Sequence, residues 1–205
     1  MSAHDKYTRK RHHGAHDWHS QAYVEDWVKH DAARNDERRP RLRRMLALAP
    51  FARDAAIAVL DVGAGYGVVA EEVLRAFPNA RITLQDYSEV MLARARQSLA
   101  HAAAQLRYVL CDLTDPKWTE RVGGPFDLAV SAIAIHNLRD LATIGACYRG
   151  ICQVLKPCAC FLDYDRFARD GGITTHEGLL RTAGFTRIER AWEQPPLAIV
   201  AAWKE

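Results

Sequence analysis

At 205 residues the chain can bury one sizeable core, and its length favours one domain over two. An apolar share of 49% beside 26% charged residues is ordinary for a soluble globular protein. A formal charge of +3 is too slight to argue for nucleic acid or an anionic membrane as the partner.

The first eleven or so residues are polar and basic, and the spacing predicts no order for them. This start lacks the apolar core of a secretory signal, and no window approaches the roughly 18 to 20 uncharged apolar residues that span a bilayer; the expected location is cytoplasmic. Residues 21–51 read as purely helical. Tyr23, Val24, Trp27 and Val28 share one helical face, with Trp27 expected in the core, and Leu42, Met45, Leu46 and Phe51 continue the pattern. Residues 1–52 are therefore read as an N-terminal helical extension, a lid, and residues 53–205 as the main domain.

From Ile57 onward short apolar runs alternate with amphipathic stretches, as in β-α units feeding a parallel sheet. The expected strands are Ile57–Asp61, Arg81–Gln85, Leu106–Cys111, Phe126–Ala132 and Ala159–Tyr164. The expected helices are Val68–Phe77, Glu89–Ala103 and Leu141–Leu155, with Ser88 capping the second and Lys156-Pro157 stopping the third. Asp115-Pro116 reads as the cap and first turn of a short extra helix. The tail holds two strand-like runs around Ile188 and Ile199, joined by a connection too short for a helical crossover, so they should pair antiparallel at the sheet edge. Five cysteines, Cys111, Cys147, Cys152, Cys158 and Cys160, fit neither a zinc knuckle nor a thioredoxin motif and read as free thiols; Cys158 and Cys160 are expected on one strand face.

The strongest local signal follows the first strand, where the chain reads D-x-G-x-G-x-G from Asp61 through Gly63, Gly65 and Gly67 into a helix. Three glycines together cost backbone entropy, and a ligand lying on the backbone is a reason to keep them. A dinucleotide fingerprint requires glycine where this chain has Val68. An acid at Asp61 would repel a pyrophosphate and suit a cationic amine.

On these residues the sequence resembles the class I S-adenosylmethionine-dependent methyltransferases of small-molecule type, from about Val59 to Trp203. The resemblance implies an α/β fold: a Rossmann-like, doubly wound seven-stranded sheet in the order 3-2-1-4-5-7-6, with strand 7 antiparallel and an N-terminal helical lid. It implies S-adenosyl-L-methionine as cofactor. Asp61, Gly63, Ala64, Gly65 and Gly67 match the first motif. Asp86 would take both ribose hydroxyls, and Tyr87 and Met91 would lie against the adenine. Asp112 would take the adenine amino group, with Cys111 or Leu113 beside the ring. The fourth motif brings in Ser131. In the lid, an aromatic residue would cover the methyl group and an arginine would reach the cofactor carboxylate; Tyr23 and Trp18, and Arg38 or Arg39, are the matching residues.

A sulfonium already activates its methyl group, so transfer is chiefly a positioning task and needs a base only when the acceptor is protonated. His136, at the carboxyl edge after the fourth strand, and Asp163, Tyr164 and Asp165, ending the fifth, are the candidates, with Tyr23 from the lid. Alternation sends Asp163 and Asp165 to one face and Tyr164 to the other. His12, His13, His16 and His19 repeat at helical spacing without an accompanying carboxylate or cysteine register, and no metal is expected.

The segment after the fifth strand is short for this family, leaving the acceptor side shallow. The expected partner is a small-molecule acceptor at O, N or S; nucleic acid and membrane are disfavoured, and a homodimer is left open. The other readings are a cofactor-binding homologue without transfer activity, acting as a scaffold or partner subunit, and methylation of protein or nucleic acid. A nicotinamide-dependent oxidoreductase fails at Val68 and Asp61.

Overall fold

A computed structural model describes residues 16–167 and 171–205. Helices α1 (Gln21–Ala32) and α2 (Asn35–Leu46) precede β1 (Ala58–Val62). The chain then runs through α3 (Val68–Ala76), β2 (Arg81–Asp86), α4 (Glu89–Ser98), β3 (Leu106–Leu110), α5 (Trp118–Val122), β4 (Phe126–Ala132), α6 (Leu141–Val154), β5 (Leu155–Arg166), α7 (Gly172–Ala183), β6 (Arg187–Gln194) and β7 (Leu197–Trp203). The seven strands form one sheet in the order β3-β2-β1-β4-β5-β7-β6. β1 to β5 pair in parallel, and β7 runs antiparallel to both β5 and β6.

Alternation explains why helices cover both faces. Along β7, Ile199 and Ala201 face one core, and Ala198, Val200 and Ala202 face the other. The first core takes Leu42, Met45 and Leu46 of α2, Val69 and Val73 of α3 and Leu92 of α4. The second takes Trp118 of α5, Ile144, Tyr148 and Ile151 of α6 and Leu180 of α7. α2 is thus part of the main core rather than a detachable extension.

Several elements differ from expectation. The helix expected over 89–103 ends at Ser98, where Leu99 turns inward to 1% exposure and a 3-10 turn (Ala100–Gln105) follows. β5 begins at Leu155, so Lys156-Pro157 lies inside the strand. Its register slips at a bulge there, Phe126 facing Leu155 and Leu128 facing Cys160, and Cys158 takes φ 61°. That bulge leaves Cys158 exposed and Cys160 buried, not side by side on one face. The short extra helix starts at Trp118; Asp115 closes a turn ahead of it by accepting from the Lys117 N–H (2.9 Å). Trp27 is half-buried in an aromatic cluster outside the core, and Val24 alone of its expected face is fully enclosed.

Candidate active site

The β1–α3 turn is stitched to the end of β2. Gly63 N–H donates to Gln85 Oε1 (3.0 Å), Ala64 N–H to the Gln85 carbonyl (2.8 Å) and Gly65 N–H to Asp86 Oδ2 (2.8 Å). Gly63, Gly65 and Gly67 all have positive φ, at 67°, 55° and 92°. They differ in what surrounds them. A Cβ at Gly63 would stand 2.4 Å from that of Ala134, and one at Gly67 2.8 Å from Leu99 Cδ1, whereas one at Gly65 meets nothing within 4 Å. Two glycines therefore permit close packing, and the third borders open space. From the other side Ser131 Oγ donates to the Val62 carbonyl (3.0 Å).

Asp61 lies under this turn with 0% exposure, and neither carboxyl oxygen has a hydrogen-bond partner. Burial, then the nearby Asp86, push its carboxyl up to about 8, against a weak opposing pull from the Ala70 N–H. Asp61 is thus enclosed beneath the turn rather than open to solvent beside it. Burial favours the neutral form of this enclosed acid, and a cation placed against it would favour its ionisation. Asp86 is 8% exposed, accepts from Gly65 and Ser88 (2.9 Å), and is likewise raised by burial.

Beyond Asp86 the expected adenine wall divides. Among the described residues Tyr87 and Leu110 are the exposed large apolar groups; Asp112 is exposed with one oxygen taken by the Thr114 N–H (2.8 Å), and Leu113 is half-buried. Met91 and Cys111, at 3% exposure each, are enclosed. The Met91 N–H is capped by Ser88 Oγ (3.2 Å), and Cys111 packs with Trp118 and Val122.

The lid closes on this region through named contacts. Ser88 Oγ also donates to the Trp18 carbonyl. Trp18 stacks on His16 and meets Tyr23 and Trp27 edge-on, and Trp27 meets Tyr66 of the glycine turn. Tyr23 OH is hydrogen-bonded to His16 Nδ1. Tyr66 OH donates to Asp31 Oδ2 (3.0 Å), and Arg38 forks onto the same carboxylate (Nη1–Oδ2 2.7 Å) with its side chain 12% exposed. The guanidinium expected at a cofactor carboxylate is therefore paired with Asp31. Arg39 instead ties α2 to α3 through Glu71 (2.6 Å) and Glu72 (2.5 Å). His12 and His13 lie outside the described residues, and among the described residues no group of His, Cys, Asp and Glu is placed to hold a metal.

At the carboxyl edge of β4 a 3-10 turn (Ile135–Leu138) presents His136. Positive φ at Ile133 (54°) and Arg139 (68°) brackets it, and for a β-branched residue that is strain held by the surrounding fold. His136 Nδ1 lies 2.6 Å from Asp165 Oδ1, and the His136 N–H donates to Asp165 Oδ2 (3.0 Å). Its side chain is 16% exposed. Asp163 shares the Asp165 face at 1% exposure, whereas Tyr164 turns away to pack with Trp192. A histidine whose Nδ1 is fixed by a carboxylate offers Nε2 as a proton acceptor.

Sequence reading missed Gln85, Tyr66 and Asp31. Gln85 carried a signal, a polar residue at the carboxyl end of a buried strand; Asp31 carried none, because its partner Arg38 is seven residues away on another helix.

Residues 59–158 match the profile of a methyltransferase domain family. Among curated proteins, the chain is 38% identical over 98 residues to a malonyl-[acyl-carrier protein] O-methyltransferase of Neorickettsia risticii, covering 48% of this chain and 35% of that one. It is 40% identical over 75 residues to a release factor glutamine methyltransferase of Chlorobaculum tepidum, covering 36% and 26%. The chain thus spans about a third or less of the length of these relatives. Among solved structures, a putative O-methyltransferase of Nostoc punctiforme superposes with TM-score 0.69 at 17% identity, covering 87% of this chain and 60% of that one. No helix among the described residues is long and apolar enough to cross a membrane.

Proposed function

From its place among the class I methyltransferases, to which its domain match and sheet order assign it, we propose that the chain transfers a methyl group from S-adenosylmethionine to a small-molecule acceptor. The observation that carries the acceptor side is the His136–Asp165 pair at the carboxyl edge of β4 and β5. The residues present suit the cofactor: a neutral, partnerless acid at Asp61, space for a ligand at Gly65 where a Cβ meets nothing, and an enclosed carboxyl at Asp86 beside both.

Asp86 would hold the ribose hydroxyls, Tyr87 and Leu113 would flank the adenine, and Asp112 would take its amino group. Asp61 favours a positively charged group at the turn. When bound, the cofactor supplies an electrophilic methyl on sulfur. Trp18, Tyr23 and Trp27 exclude water on the lid side. His136 Nε2 would take the acceptor's proton, and Asp165 would stabilise the resulting imidazolium. The two curated relatives act, by name, on a carrier-bound acid and on a protein glutamine. The enclosed setting of His136 favours a compact acceptor here.

Calorimetry with S-adenosylmethionine and its demethylated product tests the cofactor directly. Asp86→Ala is expected to weaken binding by about 1 to 3 kcal/mol, the cost of losing a charged hydrogen-bond partner. Unchanged affinity would remove Asp86 from the ribose. A panel of hydroxyl, amine and thiol acceptors, with release factor and acyl-carrier protein alongside, tests the acceptor: methylation of a macromolecule alone would overturn the small-molecule reading.

A further inference from the structure

Away from the carboxyl edge of the sheet, a cavity of about 420 Å³ opens where the end of α2, the loop after it and the end of α3 meet. Its floor is apolar. Leu46 and Phe77 are enclosed, Ala49 and Phe51 are half-buried, and the Phe51 and Phe77 rings stand edge to face with centroids 6.3 Å apart. None of the residues assigned above to cofactor or acceptor lines it. α3 holds the cavity and the glycine turn apart: its first residue follows Gly67, whereas Arg75 and Ala76 at its far end line the cavity. Nine helical residues place about 13 Å between those two ends, so a molecule in the cavity does not touch the glycine turn.

The rim is basic. Arg43, Arg53 and Arg75 line it, and the Arg43 and Arg75 side chains are 58% and 53% exposed. Glu72, the acid that lines it, is fully enclosed and already shared by Arg39 (2.5 Å), Arg43 (2.9 Å) and Arg75 (3.2 Å). Glu71 pairs with Arg39 and Arg75. Arg53 is exposed and has no ion-pair or hydrogen-bond partner among the described residues. Four guanidiniums therefore stand against two carboxylates. Arg43 reaches Glu72 through Nε, which leaves both its terminal nitrogens without a hydrogen bond among the described residues. Such a planar fork of N–H donors matches the two oxygens of a carboxylate.

We propose that this cavity is a second binding site, for a small carboxylate with an apolar body: the head held by Arg43 and Arg53, the body lying on Leu46, Phe51 and Phe77. Its volume falls near the low end of the range that small-molecule sites span, about 300 to 1,000 Å³. Residues 1–15 carry Lys6, Arg9, Lys10 and Arg11 against a single acid, Asp5, so that segment has the wrong charge to fill it.

Phenylbutyrate is the probe, followed through the backbone amide NMR shifts of the full chain. Saturable shifts are expected in residues 46–53 and 75–77, with a dissociation constant of about 1 mM or below. Phenylbutanol, the same body without the charge, should bind at least about fivefold more weakly. Inorganic phosphate, a charge without the body, should not saturate over the same range. Arg53→Gln removes a cation that no contact in the fold uses, and should weaken phenylbutyrate by about threefold. The site is overturned if phenylbutyrate shifts no amide in these two segments, or if phenylbutanol or phosphate binds as tightly. It is overturned equally if Arg53→Gln and Arg43→Gln both leave the affinity unchanged. A saturating concentration of demethylated S-adenosylmethionine should leave phenylbutyrate in place; displacement would put the probe in the methyl-transfer site and sink the proposal. The site does not rest on the methyl-transfer reading: a chain indifferent to S-adenosylmethionine would refute that reading and leave these shifts as they are.

Discussion

Asp61 stores a cost that the folded chain bears for the sake of its turn. Its carboxyl is enclosed without a hydrogen bond and keeps its proton up to about pH 8, whereas an unfolded aspartate gives its proton up near about 3.9. The folded-state value is raised, so its contribution to stability is fully present below the unfolded value, is lost as pH climbs towards about 8, and stays lost above it, with a slope of at most about 1.4 kcal/mol per pH unit. Asp86 and Asp163 are raised in the same direction, so the wild-type curve sums several groups, and the difference against Asp61→Asn isolates this one. Denaturant unfolding should show Asp61→Asn more stable than its parent by about 1 to 3 kcal/mol near pH 8, with the gap closing near pH 4. Parallel curves for the two proteins would mean that Asp61 is solvated or ionised in the fold.

The turn between β1 and α3 divides its labour in a way that the bare motif conceals. Gly63 and Gly67 are tight because Ala134 and Leu99 press on them, and Gly65 is not pressed by anything. Gly63→Ala should therefore destabilise the fold by about 2 kcal/mol or more, from overpacking added to a positive φ. Gly65→Ala should lose only about 1 kcal/mol, from its φ alone, yet lose most of its affinity for S-adenosylmethionine. Urea unfolding and calorimetry on the two variants check this; equal losses in both measurements would remove Gly65 from the ligand. That this turn, the strands and Ser88 as a cap were legible follows from their local causes, namely apolar runs, a glycine pattern and a hydroxyl before a helix. The end of α4 was not legible: Ala100, Ala102, Ala103 and Ala104 are small enough for helix or turn, and what ends the helix is Leu99 entering the space beside Gly67, a contact across 32 positions. The start of β5 was hidden in the same way, since Lys156 is held in the strand by Asp127 of β4 (2.7 Å) and the bulge at Cys158 absorbs the irregularity. His136 was legible as a residue at the reacting edge, and alternation put Asp163 and Asp165 on one face, but the pairing of His136 with Asp165 was not legible, because it joins residues 29 positions apart.

Across the whole molecule, the division between lid and main domain depends on which N-terminal helix is meant. α2 contributes Leu42, Met45 and Leu46 to the core beneath the sheet, each at 2% exposure or less. Arg39 and Arg43 of α2 also carry Glu72 of α3, whose side chain is fully enclosed, with help from Arg75. By contrast, α1 lies against Tyr66 of the glycine turn and against α4, through Glu25 and Arg94 (3.2 Å), and buries chiefly Val24 and the Asp31–Arg38 pair. A boundary at residue 52 cuts through the core, and the periodicity of α2 does not reveal this, because an apolar stripe looks alike on a lid and on a core helix. Two truncations separate the helices. A chain beginning at residue 53 loses three buried side chains worth about 1.5 to 3 kcal/mol each and strands Glu72 with Arg75 alone, so it should fail to unfold cooperatively. A chain beginning at residue 34 keeps the core, exposes Tyr66 and unpairs Arg38. It should melt cooperatively with stability lowered by about 3 kcal/mol, and should bind S-adenosylmethionine more weakly than the full chain. Calorimetric melting with and without ligand distinguishes the two outcomes. A folded, ligand-binding chain beginning at residue 53 would return α2 to the lid and make the sheet with its remaining helices sufficient for the site.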